Sequence, residues 1–201
     1  MKKIKGIIFD FGNVVCAFDN MDFIKNISKH TGNSPEKLYK LIYTNTDLIE
    51  KYEKGLISSN YFYQHLSRIC GLKVKRKELI KAYSGIFIPI KKTFGLIKIL
   101  KKKYKMGLLS NTCWWDYKYE IRNTEIFQLF DKVSLSFRVK QSKPHPDIYK
   151  DILKKLKLKP EECVYIDEIE KNIEGAKKLG LKTILFNYKK DDLRKLLDKY
   201  L

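Results

Sequence analysis

The stretch that decides the fold is IKGIIFDFGNVV, residues 4–15 of this 201-residue chain. It begins as an almost continuous apolar run and then places Asp10, Gly12 and Asn13 close together. Such a run is typical of a strand that is buried on both faces, as in a parallel sheet. Ligands of open α/β sheets bind beyond the carboxyl ends of the strands. Asp10 is therefore predicted to be a nucleophile, a metal ligand or a helix cap, with Gly12 allowing a sharp turn just after it.

Beyond Pro89, the sequence alternates between helical patterns and short strand-like apolar runs. The later strands are predicted at residues 105–109, 132–136, 163–166 and 183–186. Repeated βα units favour a parallel sheet with right-handed crossovers. The predicted fold class is therefore α/β, with a Rossmann-like parallel sheet as its core.

Residues 17–88 contain several short amphipathic helical patterns and no strand-like run. One helix is predicted to begin at Ser34-Pro35-Glu36, where a serine N-cap, a proline at the first helical position and an acidic first turn coincide. We therefore predict a small helical domain inserted directly after the first strand. The α/β core then comprises residues 1–16 and 89–201, and the helical domain comprises residues 17–88.

The chain carries 42 basic and 23 acidic residues, which gives a formal net charge of +19. Most of the basic residues are lysines spread over predicted helix surfaces. This distribution favours a solvated surface over a nucleic-acid interface. A positive field would also attract small phosphorylated substrates.

The hydropathy of the chain and the character of its first residues predict a cytoplasmic protein. No stretch approaches the ~18 apolar residues that span a bilayer, and Asp10 interrupts the signal-peptide-like start. The cysteines show no CxxC pairing and no accompanying histidine cluster. Buried reduced thiols are therefore expected, rather than a zinc site or disulfides.

Polar side chains also follow the later strands. Ser110 and Asn111 end the second strand and could bind the oxygens of an anion or cap the next helix. Lys143 precedes a proline, which favours an extended backbone at the lysine and so restricts where its side chain can reach. Asp167 and Glu168 end a buried strand that is expected beside the Asp10 strand. They could hold Mg²⁺, which prefers oxygen ligands.

The order of these motifs resembles that of the haloacid dehalogenase-like (HAD) hydrolases whose helical cap is inserted after the first motif. The order is strand-Asp-x-Gly-Asn, strand-Ser-Asn, Lys-Pro and strand-Asp-Glu, and it covers nearly the whole chain. The segments IFDFGNVV, SKPHPDIY and YIDEIEKNIEGAKKLG are similar to the subgroup of sugar-1-phosphate phosphatases and the phosphatase domain of soluble epoxide hydrolases.

The resemblance implies a Mg²⁺-dependent phosphatase that acts on a small, sugar-like phosphate monoester. It implies that Asp10 forms an aspartyl-phosphate, that Ser110 and Asn111 bind phosphoryl oxygens, and that Lys143 balances charge. Mg²⁺ would be held by Asp10, the backbone carbonyl of Gly12 and Asp167, and Glu168 stands where many relatives have a second aspartate. These roles agree with the need of phosphoryl transfer for positioning and charge neutralisation.

Gly12 departs from the family pattern. Most phosphatases of the family have an aspartate two residues after the nucleophile, where it acts as general acid and base. General acid–base catalysis typically contributes ~10²–10⁴ in rate. Three explanations stay open: Asp19 or Glu168 serves as the acid instead, the leaving group needs little protonation, or the protein is weakly active or inactive.

Two other functions are compatible with the sequence. A 2-haloacid dehalogenase would use the same aspartate on carbon without a metal and would not need an acid at position 12. A non-catalytic binding module is compatible with Gly12 and with the basic surface. The acidic pair Asp167 and Glu168 favours the metal-dependent phosphatase over the dehalogenase.

Four aromatic residues closely follow the second motif: Trp114, Trp115, Tyr117 and Tyr119. They could line a pocket, but core packing is favoured, because neighbouring residues of a short helix cannot all face one site.

Overall fold

The computed structural model describes residues 3–201 and confirms an α/β fold with a parallel, Rossmann-like sheet. Residues 1–2, which belong to the predicted core segment and to the signal-peptide-like start, lie outside this range. The strands, in chain order, are β1 (Gly6–Phe9), β2 (Cys16–Ala17), β3 (Ile88–Pro89), β4 (Lys105–Ser110), β5 (Lys132–Leu135), β6 (Cys163–Asp167) and β7 (Lys182–Leu185).

Strand β1 occupies the centre of the main sheet, whose order is β5-β4-β1-β6-β7. It pairs in parallel with β4 on one side and with β6 on the other. The helices outside the inserted segment are α6 (Lys91–Leu100), α7 (Trp114–Tyr119), α8 (Ser136–Val139), α9 (Pro146–Leu156), α10 (Glu170–Lys178) and α11 (Leu193–Leu197).

Both faces of β1 are buried, as its apolar run predicted. Ile7 and Phe9 belong to a cluster with residues of α6 and α11, whereas Ile8 belongs to a cluster with residues of α9 and α10. Alternating side chains of a strand point to opposite faces, so a strand covered on both sides must be apolar throughout.

Residues 20–84 form the helices of the inserted segment. They are α1 (Asn20–Ser28), α2 (Pro35–Tyr39), α3 (Leu48–Glu53), α4 (Ser59–Cys70) and α5 (Arg76–Ser84), with a π-helical turn at Lys40–Thr44 after α2. Helix α2 begins as predicted, because the Ser34 hydroxyl accepts a hydrogen bond from the Lys37 amide at 3.3 Å. These helices pack around an apolar cluster that also includes Cys113 and Trp115 of the core segment.

A short antiparallel pair lies where the chain enters and leaves the helical segment. Cys16 pairs with Pro89 and Ala17 with Ile88. The sequence did not predict these strands, because two residues are too few to show a periodic pattern. The pair holds the entering and leaving chains side by side, while the division into two domains stays a prediction.

The turn after β1 differs from expectation. Strand β1 ends at Phe9, and the left-handed conformation falls on Asn13, with φ 49°, rather than on Gly12. Asparagine tolerates this conformation better than most residues. Gly12 is under a different constraint, because a Cβ atom there would lie 2.5 Å from Cε1 of Phe18.

The cysteines agree with the prediction of reduced, buried thiols. Cys16, Cys70, Cys113 and Cys163 are all buried, and none forms a disulfide within residues 3–201. Within the same range, every helix is too short or too polar to cross a bilayer.

Trp115 of α7 packs into the apolar cluster of the inserted helices. It is 1% exposed, and its ring makes edge-to-face contacts with Tyr52, Phe62 and Tyr83 at centroid distances of 5.6, 5.2 and 5.8 Å. Trp114 is 38% exposed. The core-packing interpretation therefore holds for Trp115, which joins α7 to the helical segment.

Trp115→Ala is expected to lower the free energy of unfolding by about 3–5 kcal/mol, because it removes a large buried ring and leaves a cavity. Trp114→Ala is the matched control and should cost less than about 1 kcal/mol. Urea unfolding followed by circular dichroism measures both values. Equal losses for the two variants would contradict this account of the packing.

Candidate active site

The carboxyl ends of three neighbouring strands meet at one edge of the sheet. Asp10 follows β1, Ser110 ends β4 and Asp167 ends β6. All three side chains are buried. The parallel pairing of β1 with both neighbours brings these residues together, as the sequence predicted.

Lys143 lies between the two aspartates. Its Nζ atom is 2.7 Å from Oδ1 of Asp10 and 2.8 Å from Oδ2 of Asp167. Burial alone would lower the pKa of Lys143, but the two carboxylates outweigh burial and raise it. Burial raises the pKa of Asp10 to about 6, and Asp167 adds to the effect while Lys143 opposes it.

Asn111 holds the backbone of Lys143 in place. Its Oδ1 atom accepts a hydrogen bond from the Lys143 amide at 2.8 Å, and its Nδ2 donates to the Lys143 carbonyl at 3.3 Å. The side-chain amide of Asn111 is therefore engaged by the loop that presents the lysine.

Asp167 accepts hydrogen bonds on both carboxylate oxygens. Oδ1 accepts from the Ile169 amide at 2.8 Å, and the Asn172 amide lies 3.1 Å from both oxygens. The Tyr165 hydroxyl and Lys143 donate to Oδ2. This carboxylate is thus fully hydrogen-bonded by protein groups.

Glu168 lies beside this network but is less well satisfied. Its Oε2 atom is buried without a hydrogen-bond partner within residues 3–201. One oxygen each from Asp10, Asp167 and Glu168 lie within 4.8 Å of one another, close enough to hold one cation. Burial, followed by the charges of Asp10 and Asp167, raises the pKa of Glu168 to about 9.

A cavity of about 220 Å³ opens beside these residues. Asp10, Gly12, Ser110, Lys143 and Glu168 line it from the sheet side. Phe23, Tyr43, Glu53 and Tyr83 line it from the inserted helices. Both parts of the chain therefore contribute to one enclosed space, which is a common form of a ligand site.

Phe18 occupies the space beside Gly12. A Cβ atom on Gly12 would lie 2.5 Å from Cε1 and 3.2 Å from Cδ1 of the Phe18 ring. A side chain at position 12 would therefore require the ring to move. Asp19, one of the two candidates for the missing acid, is an exposed N-cap of α1 and does not line this cavity, whereas Glu168 does.

Two further acidic residues line the cavity. Burial raises the pKa of Glu53, on α3, to about 7, and the nearby charges of Glu50 and Asp10 add to this while Lys143 opposes it. Burial likewise raises the pKa of Asp116, on α7, to about 7. Neither residue is predicted from the sequence, because each lies within a short helix and not at the end of a strand.

The family model described as haloacid dehalogenase-like hydrolase matches residues 7–186. The chain is 28% identical over 188 residues to a D-ribitol-5-phosphate phosphatase from Bacteroides thetaiotaomicron, with 90% of each chain covered. It is 26% identical over 205 residues to a glyceraldehyde 3-phosphate phosphatase from Pyrococcus furiosus, covering 94% of this chain and 83% of that one.

A similar solved structure is that of a HAD family enzyme from Bacteroides thetaiotaomicron in complex with magnesium and inorganic phosphate. It superposes with a TM-score of 0.83 at 29% sequence identity, covering 96% of this chain and 98% of that one. The similarity therefore extends over both the sheet and the inserted helices.

The buried Asp116 makes stability depend on pH in a defined direction. Its carboxyl binds a proton more tightly in the folded protein than in the unfolded chain, so its contribution to stability falls as the pH rises from about 4 to about 7. Asp116→Asn removes this titration. Relative to the unmodified protein, the free energy of unfolding of the variant should rise over that interval, by up to about 4 kcal/mol, and stay level above it.

Urea unfolding at a series of pH values measures this difference. Glu125→Gln, which removes an exposed carboxyl paired with Lys98, controls for the loss of one negative charge. A difference between Asp116→Asn and the unmodified protein that does not vary with pH would show that Asp116 is not desolvated as described.

Proposed function

The chain belongs to the haloacid dehalogenase-like hydrolases, and we propose that it is a Mg²⁺-dependent phosphatase that cleaves a small phosphate monoester through an aspartyl-phosphate on Asp10. The observation that carries this proposal is the buried contact of Lys143 with Asp10 and Asp167 beside an enclosed cavity. A lysine held in this way offers one positive charge at the point where a phosphoryl group would meet the nucleophile.

Asp10 attacks phosphorus in this proposal as the bond between phosphorus and the ester oxygen breaks. The departing oxygen becomes an alcohol by taking a proton from Glu168 or from water. Water then hydrolyses the aspartyl-phosphate and regenerates the carboxylate. Lys143 neutralises charge on Asp10 and on the phosphoryl oxygens, and the Ser110 hydroxyl binds one of those oxygens. Phosphoryl transfer of this kind is accelerated mainly by positioning and by charge stabilisation.

Asn111 has a positioning role in this scheme. Both polar ends of its side chain are engaged by the backbone of Lys143, so it acts on the substrate through the lysine. Its direct contact with phosphoryl oxygens, which the resemblance implies, stays a prediction.

The donor set fits Mg²⁺, which takes oxygen ligands from one or two carboxylates and keeps several waters. The unpartnered Oε2 of Glu168, close to Asp10, is the observation that favours a cation here. Asp10, the Gly12 carbonyl and Glu168 would hold the ion, with Asp167 either as a further ligand or as the acceptor that orients Lys143. The ion would supply positive charge to the phosphoryl oxygens.

Relatives support a small sugar-like substrate. Two of the similar curated proteins are phosphatases of D-ribitol 5-phosphate and of glyceraldehyde 3-phosphate, both small phosphate esters of a sugar alcohol or a sugar. The cavity of about 220 Å³ agrees with a substrate of this size.

The first experiment is release of inorganic phosphate from an aryl phosphate and from a panel of sugar phosphates. Asp10→Asn, or removal of Mg²⁺ by a chelator, is expected to reduce turnover by at least about 10³-fold, because the nucleophile or its charge balance is lost. Asp22→Asn, an exposed aspartate of α1 in an ion pair with Lys25, is the matched control and should retain activity.

Each alternative function has its own outcome in this experiment. Phosphate release that is equal in Asp10→Asn and in the control would overturn the proposal. Metal-independent turnover of a 2-haloacid would then support the dehalogenase. Salt-sensitive nucleic-acid binding without turnover would support the binding module.

Gly12→Asp tests whether a general acid is missing. Gly12→Asp alone should raise kcat for an alkyl phosphate only slightly, because Phe18 occupies the space that the new side chain needs. Combined with Phe18→Ala, it should raise kcat for an alkyl phosphate by up to about 10²-fold and affect an aryl phosphate much less, since only the alkyl leaving group needs a proton.

Phe18→Ala alone is the control for opening the cavity. The measurement is the ratio of kcat values for the alkyl and aryl phosphates in each variant. A ratio that is the same in all variants would contradict the hypothesis that a proton donor is missing.

A further inference from the structure

The cavity contains a second polar region besides the strand ends. Five of its lining side chains form this region, which we call the acidic subsite: Tyr43, Glu53, Tyr83, Thr112 and Asp116. Glu53 lies on α3, Tyr83 on α5 and Tyr43 in the π-helical turn. Thr112 and Asp116 lie in the segment that follows β4. Both the inserted helices and the core therefore build it.

Asp116 is buried and incompletely bonded. Its side chain is 9% exposed, and its Oδ2 atom accepts a weak hydrogen bond from the Cys113 thiol at 3.4 Å. Its Oδ1 atom and the hydroxyl of the neighbouring Ser84 are both buried without a well-formed hydrogen bond within residues 3–201. The Ser84 hydroxyl lies close enough to lower the pKa of Asp116 slightly, against the larger effect of burial. A buried carboxylate that has only weak neutral donors is poorly solvated, which favours a ligand that supplies a charged donor.

The other members of the acidic subsite have unused polar atoms as well. Thr112 is 3% exposed, and its Oγ1 atom has no hydrogen-bond partner in the described part of the chain. Among residues 3–201, no side chain pairs with the carboxylate of Glu53 or with the hydroxyls of Tyr43 and Tyr83. The chain thus leaves two carboxylates and three hydroxyls open beside the space that a leaving group would fill.

Within residues 3–201, no basic side chain forms an ion pair with Glu53 or Asp116, although Lys143 acts on Glu53 from a distance. Among the described residues that line the cavity, Lys143 is the basic one, and Asp10 and Asp167 already hold its ammonium group. The rings of Phe23, Tyr43 and Tyr83 also face the cavity. Aromatic faces together with carboxylates are a common environment for an organic ammonium group.

We propose that the acidic subsite binds a protonated amine on the alcohol part of the substrate, so that the enzyme acts on small amino-substituted phosphate monoesters. This inference rests on the proposed phosphatase function. The phosphate would meet Asp10 and Lys143, while the ammonium group would lie against Asp116 and Glu53.

An amine matches the subsite better than a hydroxyl group does. An ammonium group brings three donors and a positive charge, whereas a hydroxyl brings one donor and leaves both carboxylates uncompensated. A neutral polyol would require these carboxyls to be protonated or to remain poorly solvated. Binding of a polyol is therefore the outcome that competes with the proposal.

The test compares matched substrates that differ only in the terminal group. 2-Aminoethyl and 2-hydroxyethyl phosphate form the first pair, and the three- and four-carbon homologues form two further pairs. For at least one length, kcat/KM should favour the amine by about tenfold or more in the unmodified protein. Asp116→Asn and Glu53→Gln should each reduce that preference at least about fivefold, because each removes one carboxylate and preserves its shape.

The readout is the ratio of kcat/KM for the amine substrate to kcat/KM for the matched hydroxyl substrate. Comparing this ratio across variants removes the intrinsic difference in reactivity between the two leaving groups. Glu125→Gln, an exposed charge change far along the chain, should keep the ratio of the unmodified protein. The ratio in the unmodified protein needs no variant, so the proposal stays testable even where a variant folds poorly.

Two outcomes would overturn the proposal. One is equal or better turnover of the hydroxyl compound at every length, which would indicate a polyol subsite. The other is an amine preference that neither carboxamide variant changes. Absence of phosphate release from all pairs and from an aryl phosphate would instead be a failure of the phosphatase function itself.

Discussion

The candidate site depends on one buried lysine between two carboxylates. Lys143 balances Asp10 and Asp167 in a place that solvent hardly reaches. Removing one partner from such a group typically destabilises a protein by about 3–5 kcal/mol, because the remaining charge stays buried. The central position of β1 puts the two carboxylates on adjacent strands, and Asn111 fixes the backbone of the lysine. Sheet order, loop conformation and site electrostatics therefore constrain one another.

The charge of the cavity is opposite to that of the whole protein. The chain has a formal net charge of +19. Among residues 3–201, however, the cavity is lined by four acidic residues and by one lysine: Asp10, Glu53, Asp116 and Glu168, with Lys143. The lysines lie mainly on the surface, where salt at physiological concentration screens their field beyond about 8 Å. The cavity is therefore a local environment that net charge does not describe, and its excess of carboxylates suits a cation both beside Asp10 and in the acidic subsite.

An aromatic ring occupies the space where a side chain at position 12 would lie. Phe18 fills the space that a side chain on Gly12 would need, and its ring lies 5.5 Å from that of Phe87. The substitution of an acid by glycine is thus accompanied by apolar packing next to the nucleophile. This arrangement lowers the polarity on one side of Asp10. Because position 12 offers no acid, either another carboxyl donates the proton to the leaving group or the leaving group departs without one.

The sequence by itself determined the α/β class, the order of the motifs and the residues at the strand ends. These follow from local signals, because a doubly buried strand must be apolar and a polar residue at its end marks the edge of the sheet. Only the tertiary structure decided that Asn13 rather than Gly12 takes the left-handed turn, and that Phe18 lies against Gly12. It alone brought Glu53 and Asp116 into one cavity. These residues are 63 positions apart on separate helices, and contacts across such a distance depend on packing that no local pattern encodes.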